Sequence, residues 1–497
     1  MTKRTVLLLC CLAMLLSVLA SCGFTPDDHA DSEVGSSGDV VTDTEDETDE
    51  NGLVNDSISD DVKYGGQEIK IMAWGAQAAD YDFNDDTSTG DKIAKQTFVR
   101  NNNVAVRLEV KLKFDRSLVG DNAGRYEYVS TVERVLGAGE KYDIIACYSQ
   151  CAANFAIDGF IVDLKQYGDI IELTKPWWSS NMVESSVVNN KLYFASGSIA
   201  ATSILQTFVI AVNMDKIAAM GEQDPRELVK ENKWTMEEFY KMCTNIYLDR
   251  NQDVIGKDNL DEFGFTTIDS VMGDGFFTGN GLTYIKADNT GKLILDPNFE
   301  GNRTDTLIND LVTRFNTNDY LYGGGQSIFE GERTLFIGTT FDVLMRRRPE
   351  VKFNYGYVPY PMADEYQGKY YSTCGFPFTM WCITTGTADA ERAAYVMEAL
   401  ASASYRTVQP ELFNNIKYRM SDEAINEDMF NIIIESKTYD MGRIFHNVFE
   451  WADSPVALFR TKLYKGYENG QGWSSLMVEK QPALKEGLDQ INRAFGY

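Results

Sequence analysis

The sequence predicts an α/β protein built on parallel sheets, because apolar stretches that alternate with period two are separated by helix-length stretches with a period near 3.6. Ile69, Ile71 and Ala73 alternate with polar neighbours and run into Trp74-Gly75, and Lys141-Tyr-Asp-Ile-Ile-Ala-Cys147 reads as a buried strand. A helical stretch over roughly 91–102 and a second around 129–136 lie between them. Val104, Val106, Leu108, Val110 and Leu112 alternate as well, which predicts a further strand over 104–112. In sheets of this kind ligands sit beyond the carboxyl ends of the strands, which points at Trp74 and at Tyr148-Ser149-Gln150.

Farther along, Thr235 followed by Glu238 forms a capping box, with Phe239, Met242 and Ile246 as the apolar stripe of the helix it opens. Residues 333–338 and 353–359 read as strands, 387–402 as a helix, and Pro482 as the opening residue of a last helix. No fixed-period repeat is visible, which disfavours a solenoid or propeller.

The N-terminal 62 residues have a different character. Lys3 and Arg4 precede an apolar run from Val6 to Leu16 and then Leu19-Ala20-Ser21-Cys22. That pattern predicts a secretory signal over 1–21, too short to span a bilayer comfortably. Leu-Ala-Ser-Cys resembles the bacterial lipobox, which implies acylation of Cys22 and a membrane-anchored, extracytoplasmic protein. Residues 23–62 contain no Lys or Arg, and 14 of the Asp and Glu residues lie between Asp27 and Asp61, half of the formal charge of −28. We expect 22–62 to be an unfolded, self-repelling linker with a reach of about 35 Å.

About 435 residues follow, enough for two lobes with sizeable cores. An acidic body without a basic stripe excludes nucleic acid as a partner. Of the eight cysteines, Cys147, Cys151, Cys243, Cys374 and Cys382 belong to the body. Cys147 with Cys151, or Cys374 with Cys382, could pair, but buried thiols are the simpler expectation. The two histidines are His29, in the acidic stretch, and His446. A zinc site built on paired histidines is therefore excluded, and His446 is expected to be structural. No phosphate loop is present, and Gly323-Gly-Gly325 lacks the Lys and hydroxyl that would make one. No pair of carboxylates is marked for glycoside hydrolysis.

Asp249, Asn251 and Asp253 recur at every second position, the opening of a calcium loop that Asp258 or Asp261 would close. Val254 stands where such loops need Gly, so a solvated turn is the competing reading, and any calcium would be structural. No other cofactor is expected.

The order of motifs resembles the extracellular solute-binding proteins of ABC importers, in the carbohydrate-binding group that includes maltose-binding protein. It rests on the lipobox and acidic stretch, Met72-Ala73-Trp74, Lys141-Tyr-Asp143, Gly159-Phe-Ile-Val-Asp163-Leu, Asn190-Lys-Leu-Tyr-Phe194, Val212-Asn213-Met-Asp215, Trp234-Thr-Met-Glu-Glu238, Phe329-Glu-Gly331 and Tyr357-Val-Pro359-Tyr-Pro361.

The resemblance implies a two-lobed periplasmic-binding-protein-like class II fold, with lobe I from 63–200 plus 360–405 and lobe II from 201–359 plus 406–497. Crossings are expected near Ser198–Leu205, Pro359–Ala363 and Ser404–Gln409. It further implies a monomer that takes up a sugar or oligosaccharide without chemistry and passes it to permease subunits. A surface glycoside hydrolase or esterase, or a binder of peptides or other solutes, is the rival reading. Sugar rings offer C–H faces to aromatics and hydroxyls to polar groups. Trp74, Tyr148, Ser149, Gln150, Gly375 and Phe376 are thus the expected contacts on one side, with Phe341, Asp342, Trp451 and Asp453 on the other.

Overall fold

The sheets form where the periodicity places apolar residues on both faces. In the computed structural model Ile144–Tyr148 is buried throughout, as are Phe208–Asn213, Phe263–Thr267 and Thr334–Thr340. Both faces of such strands must be covered by other elements. The described residues are 48–49, 51–85, 90–253, 256–420, 424–449, 451–466 and 471–497. The expected signal, Cys22 and the acidic stretch up to residue 47 lie outside them.

Two sheets carry the architecture. The first has the order 379–383, 144–148, 67–73, 110–115; strand 67–73 runs parallel to both neighbours, and 379–383 is antiparallel to 144–148. The second has the order 355–358, 208–213, 334–340, 263–267, 320–321, with 263–267 parallel to 334–340 and 320–321, and 208–213 antiparallel to its two neighbours. One sheet thus draws on residues before 149 and a returning strand after 378, the other on the stretch between.

Three expectations are corrected. The stretch 104–112 is not one strand: the helix Lys92–Leu108, capped by the Asp91 side chain, runs to Leu108, and Glu109 turns the chain at φ 51° into strand Val110–Asp115. Val104 and Leu108 are four apart and share the buried helix face with Ile93, Thr97 and Arg100, so alternation and helical spacing coincided there. Pro482 lies inside helix Trp473–Ala494 and does not open it. The carbonyl that its missing N–H leaves behind belongs to Val478, which is exposed, so water can serve it. The expected linker also contributes to the folded part before residue 63. Asp56 is buried against Arg107 at 2.7 Å and Arg406 at 3.3 Å, and Ser402 Oγ donates to it at 2.6 Å. Burial raises its carboxyl pKa, but these partners outweigh that and hold it below the usual range. Composition averaged over an acidic stretch misses one acid that finds two arginines.

The cap at Thr235 forms, on a helix shorter than expected. Thr235 Oγ1 accepts from the Glu238 N–H at 3.5 Å, and the helix Met236–Cys243 buries Phe239 and Met242, stopping before Ile246. The five body cysteines are buried free thiols. Among the described residues no helix is long and apolar enough to cross a membrane.

Polar groups buried between segments tie distant stretches of the chain together. Arg100 donates to the Asp82 carbonyl at 2.7 Å, to Ser404 Oγ at 3.0 Å and to the Ile199 carbonyl at 3.3 Å. The Asp82 carboxylate accepts from Thr202 Oγ1 at 2.6 Å and Thr379 Oγ1 at 2.5 Å, and Ser198 Oγ donates to Gln409. Residues near 200, 379 and 404–409 are thereby tied into one polar knot, which rigidifies it only because its members find partners.

Glu398 is enclosed nearby, and the indole N–H groups of Trp177 and Trp178 each donate to one of its oxygens at 2.8 Å. Burial pushes its pKa up to about 8, against the smaller lowering effect of the two indoles. The folded state therefore holds a proton that the unfolded state releases near 4.5, so this carboxyl's contribution is full below that pH and lost as pH rises through about 8. E398Q should flatten the fall in stability across that window, which urea midpoints at about pH 5, 7 and 9 would register.

Candidate functional site

A cleft of about 610 Å³ opens between the two sheets. From the first sheet it takes Tyr148, at the carboxyl end of its strand, with Asn122 and Phe376-Pro377, which precede the returning strand. From the second it takes Phe208, Ile268 to Met272 after strand 263–267, and Thr340 at the end of 334–340. Arg460, Thr461, Tyr464 and Lys465, from helix Pro455–Lys465, close the wall. The cleft therefore sits beyond the carboxyl ends of the parallel strands in both sheets, as the rule for open α/β sheets requires. Its size and its mixture of rings, aliphatics and a few polar groups suit a small organic solute.

Phe376 is held from several sides. Ser149 Oγ donates to its carbonyl at 2.6 Å, and the Gly375 N–H donates to the Gln206 carbonyl at 2.8 Å. A Cβ at Gly375 would stand 2.8 Å from that carbonyl and 2.8 Å from the Phe208 ring, so only glycine lets the re-entrant loop lie this close. The Arg443 guanidinium lies 4.2 Å from the Phe376 ring centroid and that of Arg460 at 5.2 Å. The His446 ring is stacked on Phe376 at 5.8 Å.

Behind the ring is a buried charge cluster. Arg460 grips Asp274 with Nε, at 2.8 Å, and Nη2, and Arg443 Nη1 donates to the same carboxylate. Asp274 is fully buried; burial raises its pKa, but Arg460 first and then Arg443 outweigh it and hold the carboxyl below its ordinary value. His446 is pushed down to about 3 by burial and then by Arg460, Arg125 and Arg443, so it is neutral at physiological pH. The imidazole is thus enclosed, with one face on an aromatic ring.

The structure brings together some of the expected contacts and disperses others. Tyr148 and Phe376 line the cleft, and Ser149 and Gly375 position Phe376. Gln150 is buried, with Asn447 Nδ2 donating to its backbone carbonyl at 3.2 Å. Trp74 is fully buried in the first sheet's core, donating from Nε1 to Thr379 Oγ1 at 2.8 Å and packed edge-on against Tyr148. Phe341 is core as well, between Tyr357 and Phe430. Asp342 pairs with Arg346 one helical turn away at 2.7 Å; its burial still leaves the carboxyl above its ordinary pKa. Asp453 pairs with Lys480 at 2.9 Å. Trp451 begins the short turn Trp451–Asp453, and its side chain lies outside the described residues. Sequence reasoning did not find Gln206, Phe208, Met272, Arg460 or Tyr464.

The loop that opens at Asp249 is knitted by its own hydrogen bonds. Asp249 accepts from the Gln252 N–H at 2.6 Å, Asn251 donates to Asp253 at 2.7 Å and Asp258 at 2.9 Å, and Asp261 accepts from Tyr247 Oη at 2.9 Å and from the Asp258 N–H at 3.1 Å. These oxygens accept from donors within the loop, as in a solvated turn. Among the described residues no group of three His, Cys, Asp or Glu is arranged to hold a metal ion.

No family model and no curated protein matches the sequence. Solved structures do match in fold. UspC from Mycobacterium tuberculosis has a TM-score of 0.52 at 13% identity, over 84% of this chain and 100% of its own. UgpB from the same organism, in complex with glycerophosphocholine, has 0.51 at 12% identity, over 86% of this chain and 99% of its own. A sugar transporter from Rhizobium etli in an open conformation has 0.51 at 13% identity, over 86% and 98%. The α/β architecture is thus the two-lobed binding-protein fold, with the cleft between its lobes.

Proposed function

We propose that this chain, carrying a two-lobed binding fold, is the solute-capturing component of an ABC importer: it encloses a sugar or oligosaccharide between its lobes and presents the closed form to a membrane permease. The observation that carries the reading is the cleft itself, lined by the aromatic residues Tyr148, Phe208, Phe376 and Tyr464 from elements of both sheets and the helix Pro455–Lys465. Closure is a hinge motion about the segments near 200, 360–378 and 404–409, with the solute selecting a closed state already accessible to the free protein. Nothing covalent happens to the ligand in this reading. Acylation of Cys22 and the acidic segment after it tether the folded part outside the membrane, and the protein acts as a monomer.

Isothermal titration against a panel of mono- and oligosaccharides and peptides, with chromatography of the recovered ligand, tests this directly. Saturable 1:1 binding of a sugar recovered intact is the expected result. Turnover of the sugar would replace the reading with a surface hydrolase, and binding of peptides alone would replace the solute class. Phe376→Ala removes a ring that both lobes' cleft residues surround, and it should weaken sugar binding by about 1.5 to 3 kcal/mol. An unchanged dissociation constant would remove Phe376 from the contact surface.

A further inference from the structure

The wall behind Phe376 holds two guanidiniums and one carboxylate. Arg443, Arg460 and Asp274 have side chains 6%, 14% and 0% exposed. A buried cation is costly unless an anion compensates it, and here one carboxylate serves two. Arg443 spends its remaining reach on the Cys374 carbonyl at 3.4 Å, and its Nε is buried with no hydrogen-bond partner among the described residues. Asp440, whose carboxyl feels the Arg443 charge, is occupied by the Tyr284 and Gly442 N–H groups, both at 2.6 Å. Arg460 gives Nε and Nη2 to Asp274 and lines the cleft, so its Nη1 is the end left over for a ligand. Lys465 lines the same cleft. The acid lining it, Asp269, caps its own turn by accepting from the Val271 N–H and Ser270 Oγ, each at 3.1 Å.

This cationic wall stands in a protein whose formal charge is −28, so it is a local arrangement and not the general character of the surface. We propose that the solute is an acidic sugar, carrying a carboxylate or a phosphate ester, and that Arg460 receives its anionic group while the rings of the cleft take its C–H faces. The inference rests on the sugar-capture reading and sharpens it. Guanidinium suits both anions, since its planar donors match carboxylate and phosphate oxygens alike.

The test titrates the protein with uronic-acid oligosaccharides, their methyl esters, sugar phosphates and the unphosphorylated sugars. At least one acidic ligand should bind about tenfold or more tightly than its neutral counterpart, as expected for a hydrogen bond to a charged group. Preference within the uronate pair or within the phosphate pair identifies the anion. The advantage should shrink on going from low to high salt, because the wall is partly open to solvent. Arg460→Gln should abolish it. Since that variant also loosens Asp274, Lys465→Glu, at an exposed position, supplies an independent reading: acidic ligands weaken several-fold while neutral ones do not. Neutral sugars binding as well as acidic ones would overturn the inference and leave sugar capture standing. Binding of neither would overturn both.

Discussion

Asp274→Ala is expected to destabilise the folded protein by about 3 to 5 kcal/mol, because it leaves two buried guanidiniums facing each other without the carboxylate that holds them. The carboxylate is completely enclosed, and both arginines reach it from the helical segments Met441–Ile444 and Pro455–Lys465. A urea melt should show a lower midpoint. For contrast, Lys485→Gln removes the 2.6 Å pair with Asp489, but Lys485 is 73% exposed, so a change below about 0.5 kcal/mol is expected there. Equal effects at the two sites would mean that the cluster behind Phe376 is not the compact, desolvated unit described above.

Trp74→Ala should cost a similar amount, about 3 to 5 kcal/mol, by leaving a cavity in the first sheet's core. The ring is fully buried and its N–H is one of the donors to Thr379 Oγ1, which in turn donates to Asp82. Its effect on ligand affinity would be indirect, through the Tyr148 ring packed 5.5 Å away. A stable variant with normal melting and greatly weakened sugar binding would instead place Trp74 among the direct contacts.

Trp74 illustrates what was legible in the sequence. The period-two pattern of 69–73 and the buried run at 144–148 located two strand ends, and the rule that ligands gather beyond such ends pointed to the edge of the sheet where the cleft opens. The rule does not say whether a ring at that edge turns outward or folds back. Tyr148 borders the cleft although it is almost wholly buried; Trp74, beside it, packs into the core. The same limit applied at Phe341, which lies just past its strand end but turns into the core against Tyr357 and Phe430.

The charge cluster was beyond sequence reasoning for a different reason. Asp274 lies 169 positions from Arg443 and 186 from Arg460, and nothing local to any of them marks the association. Arg460 belongs to an ordinary helix with Lys462 and Lys465 near it, where a positive charge toward the carboxyl end is unremarkable. Asp56 is the converse case. Its acidic neighbourhood predicted an unfolded linker, and only the approach of Arg107 and Arg406 in three dimensions made it part of the core. The capping signal at Thr235 was legible because it is complete within a few residues, and Thr235 Oγ1 accepts from the Glu238 N–H in the structure.

Small-angle X-ray scattering of the protein with and without a sugar that titration has shown to bind tests the central claim most directly. Capture between two lobes predicts a smaller radius of gyration at saturation, as the walls carrying Tyr148 and Phe208 close on the ligand. Superimposable curves for the free and saturated protein would contradict it.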